Sequence, residues 1–148
     1  MHIRAATPAD IPALMDLEKA ALTASHWSVE QYEALFSENS PKRLTLLIED
    51  AGVVQAFVVG RATEREWEIE NVAVAEPVRR RGRGTHLLQQ FLGLVARQGA
   101  QAVSLEVRES NRAARALYEK CGFVEAGRRI RYYHNPDEDA VTYRLILP

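Results

Sequence analysis

The chain is predicted to fold as one mixed α/β domain over residues 1–148, with a central, mostly antiparallel sheet of about seven strands flanked by about four helices. Three observations predict it. Short runs of branched apolar residues, the signal of strands, are interspersed with segments whose apolar residues repeat at helical spacing. Their order reads β-α-α-β-β-β-α-β-α-β-β, with turn residues between them and no linker, repeat or low-complexity stretch. At 148 residues, 47% hydrophobic and 26% charged, the chain is long enough for one full core and too short for two.

Ile3 to Ala6 form a short first strand. Thr7-Pro8-Ala9-Asp10 opens a helix, with Thr7 as N-cap and proline at the first helical position, where its missing N–H costs nothing. Ile11, Leu14, Leu17 and Leu22 mark the apolar stripe of that helix. Ser28-Val29-Glu30-Gln31 is a capping box opening a second helix through about Phe36, with Tyr32, Leu35 and Phe36 as its apolar residues. Leu44 to Ile48 and Val53 to Gly60 flank Glu49-Asp50-Ala51-Gly52 and read as a hairpin. Glu66 to Val74 continues the sheet. Leu88, Phe91, Leu92 and Val95 then repeat at helical spacing until Gly99 stops the helix. Ala102 to Val107 is the next strand and Asn111 to Lys120 the next helix, and the last two strands fall near Phe123 to Arg131 and Ala140 to Leu147.

Composition excludes several functions. A net charge of -1 argues against a protein that coats nucleic acid. No apolar run approaches membrane-spanning length and no basic-then-apolar leader is present, so a cytoplasmic protein without a membrane partner is expected. The lone Cys121 cannot form an internal disulfide, and His2, His26, His86 and His134 lack metal-ligand spacing, so no metal is expected.

The most informative stretch is Arg79-Arg80-Arg81-Gly82-Arg83-Gly84-Thr85, between the apolar run Asn71-Val72-Ala73-Val74 and the helical segment from His86. Two glycines let the backbone curl and bring several N–H groups to one point, where a helix N-terminus adds positive potential. Four arginines in five residues strengthen the local field, so the turn suits a phosphate-bearing ligand. Leu87 occupies the place of the third glycine in the dinucleotide fingerprint, and the Gly-Lys-Ser/Thr of nucleotide hydrolases is missing. On this view a bulky side chain at Gly84 would block the approach of pyrophosphate while leaving the fold largely intact.

With its Arg-x-x-Gly-x-Gly form, the turn resembles that of the GCN5-related N-acetyltransferases (GNAT superfamily). A second segment, Asn111-Arg112-Ala113-Ala114-Arg115-Ala116-Leu117-Tyr118 followed by Gly122-Phe123, is similar to the N-x-x-A-x-x-L-Y and G-F of the same family. Leu105-Glu106-Val107-Arg108, Trp27-Ser28, Tyr132-Tyr133 and Glu138-Asp139-Ala140 resemble, more narrowly, the RimI-type ribosomal-protein-alanine N-acetyltransferases. The resemblance covers essentially the whole chain and is strongest from Asn71 to Phe123; the element order is also that family's.

The resemblance implies direct transfer of an acetyl group from acetyl-CoA to an amine. Arg79, Arg80, Arg81, Gly82, Arg83, Gly84 and Thr85 would hold the pyrophosphate, while the backbone of Val72, Ala73 and Val74 and the side chain of Asn111 would hold the pantetheine arm. Glu106 would be the general base and Tyr118 the general acid toward the leaving thiolate. Trp27, Glu70, Tyr132 and Tyr133 would meet the acceptor, a protein N-terminus and most plausibly that of an alanine-starting ribosomal protein. An α-amine of pKa about 8 is roughly a tenth neutral at pH 7, whereas a lysine of about 10.4 is neutral only ~0.04% of the time, so an N-terminus asks little of its base.

Plainer readings stand beside these. Glu106 also fits the polar side of a half-buried strand, Tyr118 a packing residue, Asn111 a simple helix N-cap, Tyr132 and Tyr133 core, and Cys121 packing. Glu64, Glu66, Glu68 and Glu70 would line one face of an unbroken strand, either as a solvated face or as an acidic stripe attracting a cationic terminus, with Glu68 or Glu70 as a competing base. A lysine or small-molecule acceptor and a non-catalytic CoA-binding module are the competing functions. Direct binding of nucleic acid is not expected, because the clustered arginines lack interleaved aromatic residues.

Overall fold

The structure is a computed structural model that describes residues 1–21, 26–38, 42–75, 82–134 and 136–148. In chain order it contains β1 (His2–Ala5), α1 (Ile11–Ala20), α2 (Val29–Ala34), β2 (Arg43–Asp50), β3 (Val53–Thr63), β4 (Glu66–Val74), α3 (Arg83–Arg97), β5 (Ala102–Arg108), α4 (Arg112–Lys120), β6 (Val124–Tyr133) and β7 (Glu138–Ile146). The strands form one seven-stranded sheet in the order β1-β2-β3-β4-β5-β7-β6. Only the β4–β5 pair is parallel; every other pair is antiparallel.

Local chemistry explains most boundaries. Thr7 caps a short 3-10 turn over Pro8–Asp10 ahead of α1, its N–H donating to Asp10 Oδ2 at 2.8 Å. Ser28 and Gln31 exchange the reciprocal bonds of the capping box at the start of α2. That helix ends at Ala34, short of the expected Phe36, and Leu22 lies outside the described residues. The strand β3 runs on to Thr63, beyond the expected Gly60.

The two faces of the sheet are covered by different helices. On one, Leu46, Ile48, Val58, Trp67, Ile69, Val103, Leu105, Val141 and Tyr143 pack against Leu87, Leu88, Phe91, Leu92 and Val95 of α3 and Tyr118 of α4. On the other, Leu47, Phe57, Val59 and Ala73 pack against Leu14 and Leu17 of α1 and Tyr32 of α2. Gly60 lies directly under the first helix layer. A Cβ there would stand 2.3 Å from Phe91 Cζ.

Two features of β4 shape the molecule. Val59 pairs with Asn71 and Gly60 with Ile69, so Glu70 is one residue too many and forms a bulge. The bulge reverses the alternation: Trp67 and Ile69 face α3 before it, Val72 and Val74 pack on the same side after it, and Ala73 turns toward α1. Second, the parallel ladder with β5 runs only from Glu66–Ala102 to Ile69–Leu105. Past that point the two strands part.

Candidate active site

A crevice therefore opens at the carboxyl ends of β4 and β5, the place where open α/β sheets take ligands. Val72, Ala73 and Val74 line it on β4 while keeping their ladder to β3. The helix α3 begins at the same end. Its N-cap, Gly82, has φ +76°, with nothing within 4 Å of a built Cβ, and its carbonyl accepts the His86 N–H at 2.9 Å. The first-turn N–H groups of Arg83, Gly84 and Thr85 have no acceptor within their own helix and point out of its positive end.

Arg83 reaches toward the β2–β3 hairpin, with Nη2 3.7 Å from Asp50 Oδ2 and Nη1 buried without a hydrogen bond among the described residues. An orphaned guanidinium nitrogen beside a helix N-terminus fits a phosphate-bearing ligand such as the acetyl-CoA of the resembled family. Arg79, Arg80 and Arg81 lie outside the described residues.

Gly84 corrects an expectation. A Cβ at this position would stand 3.3 Å from Val74 Cγ2 and 3.4 Å from Leu117 Cδ2. The missing side chain thus lets α3 pack closely on β4 and α4, so a valine there would disturb the fold as well as the turn.

Glu106 follows Leu105 and precedes Val107, both of which face α3 and α4, so its side chain projects from the opposite face. Its carboxylate is about a quarter exposed, and Oε2 sits 3.2 Å from Nε of Arg129 on β6. Tyr118 lies on the other side of the sheet. It is 6% exposed on α4, its ring 5.9 Å from Phe123 and 6.2 Å from Tyr143. Burial holds its phenol well above the ordinary range, with smaller contributions from Tyr133 and Cys121. Asn111 caps α4, Oδ1 accepting the Ala114 N–H at 3.1 Å.

Tyr132 and Tyr133 stand edge to face at 5.1 Å where β6 bulges out of register between Arg129 and Tyr133. Tyr132 is 48% exposed and lies under the Arg129 guanidinium, so it is not core. Tyr133 is half-buried, its phenol pushed up to about 12 by burial first and then by the nearby Glu106 carboxylate. Trp27 packs 5.5 Å from Tyr32 beside α1 and α2.

The four glutamates do not line one face of an unbroken strand, and of the two readings given for them the attracting acidic stripe is not formed. Glu64 leaves the strand in the β3–β4 turn, at φ +35°. Each of the other three faces an arginine: Glu66 with Arg144 at 2.6 Å, Glu68 with Arg61 at 3.5 Å, Glu70 with Arg43 at 2.8 Å. These pairs neutralise the row, and Glu70 is both bulged and paired.

Arg108 escaped the sequence reading as a functional residue. It donates to the carbonyls of His134 and Pro136 at 3.1 Å each and to Glu138 Oε1 at 3.3 Å, with its guanidinium 4.5 Å from the Tyr133 ring. Glu138 in turn accepts the Ser110 N–H at 2.6 Å, and hydrogen bonds from the Ser110 side chain first, then from this N–H and from Arg108, hold its carboxyl below the usual range. One arginine thus ties the β6–β7 hairpin to the end of β5, two residues past Glu106. The only sequence signal was the Glu-Val-Arg and Glu-Asp-Ala segments, which carry no spacing that pairs them.

A splayed parallel strand pair and a glycine-capped helix N-terminus thus meet at one end of the sheet, with Glu106 on one face of it and Tyr118 in the layer against the other. The acetyltransferase (GNAT) family matches residues 11–123, and the chain belongs to that family. It is an N-acetyltransferase, and acetyl-CoA is the family's cosubstrate. Among its relatives is the ribosomal protein bS18-alanine N-acetyltransferase of Escherichia coli strain K12, 36% identical over 139 residues that cover 92% of this chain and 90% of the relative. The crystal structure of the ribosomal-protein-S18-alanine N-acetyltransferase from Escherichia coli superposes with a TM-score of 0.86 at 31% identity, covering 98% of this chain and 92% of that one. That of Ard1 from Thermoplasma volcanium gives 0.88 at 30% identity, covering 99% and 97%. Among the described residues no helix is long and apolar enough to cross a membrane.

Proposed function

We propose that the protein acetylates the N-terminal α-amine of a protein, specifically an alanine-starting ribosomal protein, with Glu106 as general base and Tyr118 as general acid. The observation that supports this reading is the parting of β4 from β5 past Ile69 and Leu105, with Glu106 the next residue of β5 on one face and Tyr118 in the layer against the other. Near-full-length similarity to the Escherichia coli bS18-alanine enzyme supports the choice of acceptor.

Acetyl-CoA, when bound, supplies a thioester whose acetyl carbon gains a bond to nitrogen as its bond to sulfur breaks. The first-turn N–H groups of Arg83 to Thr85, together with Arg83 Nη1, would hold its phosphates, and the backbone of Val72 to Val74 and Asn111 its pantetheine arm. Glu106 takes a proton from the acceptor nitrogen through a carboxylate oxygen; Arg129, largely exposed, gives way as the acceptor's ammonium arrives. Tyr118 Oη returns a proton to the departing sulfur. Its raised phenol stays protonated at neutral pH, and the same dry surroundings raise the proton affinity of the thiolate it meets. Trp27, Tyr132 and Tyr133 would flank the acceptor's first residues, whereas Glu70, bulged and paired with Arg43, is left out of that role.

Matched peptides test the reading: one with a free alanine N-terminus and no lysine, the other N-terminally blocked with an internal lysine. Acetyl-CoA consumption and product mass should show acetylation of the free N-terminus. Preference for the blocked lysine peptide overturns the choice of acceptor while leaving the acetyl-transfer chemistry standing.

A further inference from the structure

The carboxylate of Glu18 takes no part in the chemistry above, yet it is the most buried acid described, at 3% exposure on α1. Its Oε1 accepts the backbone N–H of Trp27 at 2.8 Å, and its Oε2 accepts from Asn71 Nδ2 at 2.6 Å. Asn71, 5% exposed, is the first residue of β4 past the Glu70 bulge, and its Nδ2 lies 3.5 Å from Oη of the fully buried Tyr32. Burial raises the Tyr32 phenol, and Glu18 raises it further. One side chain therefore joins α1, the residue leading into α2 and the strand that forms one wall of the crevice.

A buried carboxylate without a cationic partner is a costly way to fill space. No Lys or Arg side chain pairs with Glu18 among the described residues. What the carboxylate provides that an apolar residue would not is two directed acceptors, one fixing a backbone N–H and the other fixing an amide on the neighbouring strand. Besides a hydrogen bond with the Tyr32 hydroxyl, it holds two groups that bear on the acceptor side. Trp27 packs on the α1–α2 side of the sheet, from which Glu106 also projects, and Asn71 begins the part of β4 that has left β5.

We propose that Glu18 is a positioning residue for the acceptor, setting the separation between Trp27 and the Asn71–Ala73 segment of β4 and so the width of the acceptor side of the crevice. The inference rests on the proposed acceptor reading, and its test separates the two. Glu18→Gln keeps the shape but sets an amide N–H against the amide of Asn71; adding Asn71→Asp restores a donor–acceptor pair with the charge moved across the bond. With the free-N-terminus peptide, Glu18→Gln should raise the acceptor KM about tenfold while calorimetric acetyl-CoA affinity stays within about twofold. The double variant should recover to within about threefold of wild type.

Trp67 is the only other tryptophan, so in a Trp67→Phe background emission reports Trp27 alone, and Glu18→Gln should shift it to the red. Unshifted emission overturns the role of Glu18 whatever the acceptor. A shift without a change in acceptor KM, or equal losses of acceptor and acetyl-CoA binding, overturns it as well. If wild type ignores the free-N-terminus peptide, the acceptor reading fails and the same KM comparison is read with the blocked lysine peptide.

Discussion

The two faces of the sheet solve the same packing problem with opposite materials. The face under α3 and α4 is largely apolar: Trp67 meets Phe91 edge to face at 6.0 Å, Tyr118 meets Phe123 and Tyr143, and burial keeps the Tyr118 hydroxyl protonated. The face under α1 and α2 is polar at depth, with Glu18 and Asn71 buried, Asp10 held by Arg4, and Glu106 emerging beyond the helices beside Arg129. The difference teaches how, on the proposed roles, one sheet would serve two reactants. A coenzyme arm and a leaving sulfur suit a rigid apolar wall, whereas a protonated amine needs a carboxylate that water and charge can reach. The apolar face should break by volume or by loss of the Tyr118 proton, and the polar face by charge.

The largest effect is expected from that proton. Tyr118→Phe keeps the ring and removes Oη, so turnover should fall by roughly 10²-fold to 10⁴-fold with acetyl-CoA affinity little altered. Steady-state kinetics beside calorimetry decides it, and wild-type turnover would mean that the apolar face contributes packing alone.

Next comes volume. Gly60→Ala places a methyl group within 2.3 Å of Phe91 Cζ and 3.3 Å of Trp67 Cε3. Denaturant titration should show a loss of about 1–3 kcal/mol, since two rings packed edge to face cannot yield independently. A neutral result would mean that the apolar layer is softer than its ring geometry implies.

The smallest effect sharpens the polar side. Hydrogen bonds from Arg4 hold the Asp10 carboxyl at about 2, below its ordinary 3.8. A depressed carboxyl stabilises the fold above its unfolded value and loses that contribution as pH falls through its folded one. Wild type should therefore exceed Asp10→Asn by about 1–2 kcal/mol at pH 6, with the gap closing between pH 4 and pH 2. Urea midpoints across that range check it, and a gap independent of pH would assign the loss to packing.

The sequence by itself determined what is local. Capping residues, glycine stops and apolar periods depend on neighbours a few positions apart, so the order of elements, the mixed sheet and the turn at Gly82 could be read directly. Candidate groups such as Glu106, Tyr118 and Asn111 were legible because the family resemblance covers their motif. Tertiary structure alone decided the rest, since it depends on register. The bulge at Glu70 adds one residue to β4 and reverses which side chains face which helix, something no alternation in the sequence announces. Cross-strand partners are equally invisible along the chain: Glu70 meets Arg43 across 27 residues and Asn71 meets Glu18 across 53, which turned a row of glutamates into ion pairs and an unremarked glutamate into a buried hub. The early end of the β4–β5 ladder is likewise a property of two strands together, and it is what opens the crevice.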